Sequence, residues 1–262
     1  MKTLLKILSV ALVLSCATTG PGGRKSFILI PTSVEKDLGT QIAREVETEE
    51  KMVANSDVQS YVNQLGQRIA LISDRKDLRY HFKVIEKNEI NAFACPGGYI
   101  YVYSGLMKIF DNEAQLAAVL AHEVGHVVAR HSVKQLQAVY GYSLLMEIAL
   151  GDKMGALARK AVDASVGLIL QGYGRSNEIE ADNMAVLYTK KVSLNPGGMV
   201  QVFEKFKKME GNPPSTLEKL LSTHPPTSDR IANAKKQMSK VGGAELSYNE
   251  DSYKRILSLL AP

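Results

Sequence analysis

His122-Glu123-Val124-Gly125-His126 is the most informative run in the 262 residues. On an α-helix, residues four apart lie about 40° from each other around the axis, so these two imidazoles converge on one side. One cation can then meet both, with the glutamate beside it. This is the H-E-x-x-H pattern, in which the histidines hold zinc and the glutamate acts as general base toward a water on the metal. A solvated helix face could carry the same residue types, but the neighbours argue against one. Ala114, Leu116, Ala117, Val119, Leu120, Ala121, Val124, Val127, Val128 and Ala129 make the helix apolar nearly all round, the mark of a buried element. Polar groups buried there need partners, and a metal is one.

Two histidines leave zinc short of ligands, so the pattern calls for a third donor elsewhere and an open position for water or substrate. The next residues do not supply it. Ala129 and Ser132 stand where a His-x-x-Gly-x-x-His continuation needs glycine and histidine, and His131 points to another face of a continuous helix. His131 is therefore expected to be structural or solvent-facing. Glu178-Ile179-Glu180-Ala181-Asp182 is the better candidate. Two carboxylates four apart on one helix face repel unless something positive lies beside them, and a zinc with its histidines provides that charge. Glu178 is then the third ligand, while Asp182 accepts a hydrogen bond from the far nitrogen of a ligating histidine and fixes its tautomer. Glu180 falls on roughly the opposite face and reads as solvated.

Around these helices the apolar periodicity predicts an α+β chain that is mainly α-helical. Val58, Tyr61, Val62, Leu65, Ile69 and Ile72 mark a helix capped near Asn55. Tyr80, Phe82 and Val84 then alternate, and Pro96-Gly97-Gly98 joins two further strands, Asn91 to Cys95 and Tyr99 to Tyr103. Together these predict a small antiparallel sheet. Asp111 or Asn112 caps the H-E-x-x-H helix, one or two amphipathic helices fill 139–170, and Asn195-Pro196 and Thr227 open later helices. Ser215 with Glu218 forms a candidate capping box. The net charge of +5 is too weak and scattered to suggest a nucleic-acid partner.

Four segments carry a resemblance: Asn91-Ala92-Phe93-Ala94-Cys95-Pro96-Gly97-Gly98, Leu120 to His126, Asn177 to Asp182, and His224-Pro225-Pro226 with Arg230. With them the chain resembles the zinc metallopeptidase family of HtpX and the CAAX prenyl endopeptidases, most of all its periplasmic branch of BepA- and LoiP-like lipoproteins. The resemblance implies a zincin-like fold with the sheet packed beside the H-E-x-x-H helix. It implies one Zn2+ on His122, His126 and Glu178, with Glu123 catalytic and Asp182 a catalytic proton donor. Unfolded or misassembled envelope proteins are the implied substrates. The chain ends at Pro262, without the length that the BepA type uses for a tetratricopeptide array. His224 and Arg230 are expected to act as donors to the oxyanion or, for His224, to fill the open zinc position until substrate arrives. Tyr99, Ile100 and Tyr101 are expected to form a substrate platform if their strand is exposed, since a free strand edge pairs with any extended peptide. The alternative reading is a self-inhibited or chaperone-like binding module of the envelope with little proteolysis.

The N-terminus reads as an export signal over 1–16. Lys2 and Lys6 precede the apolar run Ile7 to Leu14, which is too short to span a membrane. Val13-Leu14-Ser15-Cys16 resembles a lipobox, so Cys16 is the expected lipidation site, although Leu14 is a less usual residue there. Residues 17–33 have the composition of a tether, 34–262 form a single metallopeptidase domain, and Ala17 fits sorting to an outer membrane. Cys95, the one other cysteine, is expected to be buried.

Overall fold

A computed structural model of the chain describes residues 16–19, 24–149, 156–210 and 215–260. The expected export signal lies outside them except for Cys16. Helix α1 (Thr32–Glu49) is followed by α2 (Ser56–Ile72), which starts where the Asn55 side chain accepts the backbone N–H groups of Asp57 and Val58. The stripe Val58, Val62, Leu65 and Ile69 is buried. Strands β3 (His81–Ile85), β4 (Ala92–Cys95) and β5 (Tyr99–Tyr103) form one sheet, preceded in the chain by the hairpin pair β1 (Cys16–Thr19) and β2 (Arg24–Phe27). Beyond the hairpin, Ile28 and Ile30 are buried against Leu38 and Ile42 of α1, so the segment is packed before 34 is reached.

The expected antiparallel sheet is corrected to a mixed one with order β3-β5-β4. The tight Pro96–Gly98 turn makes β4 and β5 an antiparallel pair, with Gly97 in the left-handed region at φ 76°. The link 86–91 reverses the chain between β3 and β4, so inserting β5 between them leaves it parallel to β3. Hydrophobic periodicity does not report strand order. The consequence overturns the platform: Tyr99, Ile100 and Tyr101 are paired on both sides, with His81, Phe82 and Lys83 and with Cys95, Ala94 and Phe93. The two edges of the sheet belong to β3 and β4. Tyr103 N–H donates to the Asn91 carbonyl, which fixes the phase of the ladder and turns the peptide groups of Ala92 and Ala94 away from β5.

One sheet face (Phe82, Val84, Ile100, Val102) packs on the α2 stripe, and the other (Phe93, Cys95, Tyr101, Tyr103) packs on Leu38, Ile42 and Val46 of α1. Cys95 is a buried free thiol, as expected. After α3 (Ser104–Lys108) comes α4 (Glu113–Val128), capped by Asn112, whose Oδ1 accepts the Gln115 N–H at 3.0 Å. Every residue of α4 is buried. The apolar stretch beyond it forms α5 (His131–Ala149), kinked at Gly141, and α6 (Ala156–Ile169). Then follow α7 (Arg175–Lys191), α8 (Gly198–Glu210), α9 (Ser215–Thr223), α10 (Ser228–Val241) and α11 (Glu250–Leu257). The Ser215 side chain of the expected capping box lies outside the described residues. Nothing in the sequence analysis pointed to α11, yet its Tyr253 is buried and donates to the Met107 carbonyl at 2.7 Å. Among the described residues no helix is long and apolar enough to cross a membrane. The architecture is the mainly helical α+β, zincin-like one expected.

Candidate active site

Helices α4 and α7 approach closely because Gly125 has no side chain. A Cβ there would lie 3.1 Å from the Ala181 Cα and 3.2 Å from its carbonyl oxygen. This contact sets Glu178 and Asp182 of α7 opposite His122 and His126 of α4. His122 Nε2 lies 3.5 Å from Glu178 Oε2, and His126 Nε2 lies 3.4 Å from Glu178 Oε1. A fourth group enters from the turn after α9, where the His224 N–H donates to the Leu220 carbonyl and Pro225-Pro226 stop the helix. His224 Nδ1 is 2.9 Å from Glu178 Oε2. One ligand atom from each of His122, His126, Glu178 and His224 lies within 4.8 Å of the others.

The chemistry of this donor set fits a dication. His122 Nε2 and His126 Nε2 face each other at 2.9 Å, while both Nδ1 atoms already face other groups, at 3.0 Å from Asp182 Oδ1 and 2.8 Å from His131 Nδ1. Two ring nitrogens so turned on one another would both be satisfied by a shared positive ion. Glu178 Oε1 is buried without a hydrogen bond, as a ligand oxygen would be. Burial opposes ionisation of Glu178, yet His224, His122 and His126 hold its carboxyl well below the ordinary glutamate value. Burial likewise opposes a charge on His122, but Asp182 and Glu178 raise it to about 10. His126 is pushed well down by burial and by the neighbouring His122. A bound cation would take the place of the proton these carboxylates draw to the histidines.

Asp182 stands where expected, behind His122. The Arg230 guanidinium is 2% exposed and grips Asp182 in two bonds of 2.8 and 2.7 Å, with Nη1 2.8 Å from Glu178 Oε2 and 3.2 Å from the Pro225 carbonyl. These bonds make Arg230 a buried counter-charge for two site carboxylates, at the lining of the cavity that holds Glu123. Its own charge is held firmly, since Asp182 and Glu178 overcome the cost of burial.

Of the two expectations for His131, the structure has the structural one. It is buried, not solvent-facing, and its Nδ1 meets His126 Nδ1, while its Nε2 lies 3.4 Å from Glu180 Oε2. The expectation assumed a continuous helix, but Arg130 adopts φ 56°, ending α4 and turning His131 back beneath His126. Sequence analysis also missed Tyr173, whose ring stacks on His126 at 4.2 Å and whose hydroxyl meets Ser132 Oγ at 2.9 Å. No pattern in the chain marks it.

Glu123 lies beside His122 at the end of a small apolar cavity lined by Val119, Val202, Phe203 and Phe206, with Ala92 of β4 and His224 at its rim. Its Oε2 is buried without a hydrogen bond, and burial raises its carboxyl above the ordinary glutamate value, against the pull of His224 and His122. A carboxyl so placed is suited to exchanging protons.

The model of peptidase family M48 matches residues 56–238, which contain all of these groups. The chain belongs to peptidase family M48. Membership places it among the zinc-dependent hydrolases, in keeping with the donor set. Among M48-type relatives, the beta-barrel assembly-enhancing protease of Escherichia coli (strain K12) is 28% identical over 233 residues, covering 84% of this chain and 47% of that protein. The mitochondrial metalloendopeptidase OMA1 of Schizosaccharomyces pombe is 32% identical over 173 residues, 65% of this chain and 50% of that protein. The metalloprotease LoiP of Escherichia coli (strain K12) is 31% identical over 166 residues, 62% of this chain and 64% of that protein. The chain thus spans about half the length of the first two.

Proposed function

We propose that this chain is a zinc-dependent endopeptidase that cleaves unfolded or misassembled envelope proteins at the periplasmic face of a bacterial membrane. The observation that carries the reading is the convergence of His122, His126, Glu178 and His224 beside a buried, unpartnered Glu123. The lipobox-like Cys16 and the relatives named as proteases support the envelope setting and the substrate class. His122, His126 and Glu178 would hold the zinc. When bound, zinc supplies a Lewis acid that polarises the scissile carbonyl and lowers the pKa of water from 15.7 toward about 7. Glu123 takes the proton of the attacking water and delivers it to the leaving amine. Asp182, buried between His122 and Arg230, holds His122 and its tautomer and is not a free proton donor. On the outer edge of β4 the Ala92 N–H is taken by Asn91 Oδ1 and the Ala94 carbonyl by Ser132 Oγ, which leaves the Ala92 carbonyl and the Ala94 N–H to pair with an extended substrate. Casein digestion should stop with a chelator and return with added zinc; digestion that persists in chelator would reject the proposal.

A second reading concerns the resting state. His224 already sits within the donor group, its Nδ1 on Glu178, where it can occupy the position that water or substrate needs. His224→Ala is expected to cleave an unfolded protein several-fold faster than the parent chain, as about 1 kcal/mol of relieved competition would give. Slower cleavage would assign His224 to the oxyanion instead.

A further inference from the structure

We infer that His131 is a positioning residue for the metal centre: it holds His126 from behind, and Glu180 selects the one tautomer of His131 that can do so. The inference rests on zinc ligation by His126 as proposed above. His126 presents Nε2 to the site, 2.9 Å from His122 Nε2 and 3.4 Å from Glu178 Oε1, and turns Nδ1 toward His131 Nδ1 at 2.8 Å. Two nitrogens at 2.8 Å share one proton, so the pair has two neutral arrangements. In the first, His126 Nδ1–H donates to His131 Nδ1, and His126 Nε2 keeps its lone pair for a cation. In the second, His131 donates, the proton of neutral His126 moves to Nε2, and the lone pair is lost to the metal.

The far side of His131 decides between them. Its Nε2 lies 3.4 Å from Glu180 Oε2, and a carboxylate only accepts. Glu180 therefore favours a proton on His131 Nε2, which leaves His131 Nδ1 as an acceptor and admits only the first arrangement. His126 Nδ1–H to His131, and His131 Nε2–H to Glu180, form one consistent line of donors. It parallels the shorter line behind His122, whose Nδ1 lies 3.0 Å from Asp182 Oδ1 while Arg230 holds Asp182. Neither Glu180 nor His131 touches the site itself.

The local fold is built around this placement. The left-handed Arg130 that swings His131 under His126 is fixed by an ion pair from its Nε to Glu35 Oε2 at 2.9 Å and a bond from its Nη2 to the Ile30 carbonyl at 2.6 Å. Tyr173 stacks against the face of the His126 ring. His126 is thereby restrained in both rotation and protonation.

The test is zinc affinity, measured on the full chain by competition with a chromogenic chelator. Far-UV circular dichroism and thermal unfolding of the zinc-free variants report the fold separately. His131→Leu, which fills the space without accepting a hydrogen bond, should weaken zinc by about 10- to 100-fold, the usual cost of losing such a support. His131→Asn, whose Oδ1 can stand in for Nδ1 as acceptor, should retain most of the wild-type affinity. Glu180→Gln, at a partly exposed position, lets the amide donate as well as accept, and should give a smaller loss in the same direction. A wild type that takes up no zinc overturns the metal reading and this inference together. A wild type that binds zinc, with His131→Leu of equal affinity, overturns this inference alone. Equal losses in folded His131→Leu and His131→Asn would do the same, by showing that ring packing matters and the acceptor does not. If His131→Leu does not fold, wild-type affinity in both His131→Asn and Glu180→Leu overturns the selection by Glu180.

Discussion

Glu123→Gln is expected to bind zinc as the parent chain does and to lose hydrolysis of an unfolded protein by about two to four orders of magnitude, the usual reach of general acid–base catalysis. The amide has nearly the shape of the carboxylate, so the apolar cavity and α4 stay intact, but it takes up no proton from water. The fold should not suffer. Glu123 is buried with Oε2 unpartnered, and burial already disfavours its charge, so a neutral side chain is at home there. Metal content, unfolding temperature and casein turnover, measured on one preparation, make the check. Turnover near the parental rate with zinc in place would remove Glu123 from the mechanism.

Arg230→Met should have the largest effect on stability, a loss of about 3–5 kcal/mol, because removing one partner of a buried ion group leaves the others charged without compensation. Asp182 and Glu178, both almost fully buried, would lose bonds of 2.7 to 2.8 Å. The deficit should be greatest in chelator and smaller with zinc, since the ion supplies part of the missing positive charge to Glu178. Arg230→Lys should recover only a fraction, as an ammonium does not reproduce the two-pronged grip on Asp182. Urea unfolding with and without zinc measures both effects. A loss under about 1 kcal/mol in chelator would mean the arginine is not the counter-charge described.

The residues that could be found from sequence are those whose partners follow from helical spacing. His122 with His126, and Glu178 with Asp182, each sit four apart, and the repulsion within the acidic pair asks for a cation. The Pro96-Gly97-Gly98 turn and the Asn55 and Asn112 caps are equally local, and the structure has all three. What escaped is non-local or has no residue signature. Arg230 reaches Asp182 only once α10 packs on α7. Insertion of β5 between β3 and β4 is a matter of chain path, which hydrophobic periodicity does not report. The contact of His131 with His126 turns on one backbone angle: Arg130 is not glycine, and nothing in its side chain announces φ 56°.

The Gly125–Ala181 contact carries a consequence for the order of events in the life of the chain. The helices that present the histidines and Glu178 meet at Gly125 and Ala181, where a side chain on Gly125 would already crowd the Ala181 backbone. The helices can therefore close on each other before any metal arrives, held by the apolar length of α4 and by Arg230. An ion that arrives would then join ligands that the backbone has already brought together.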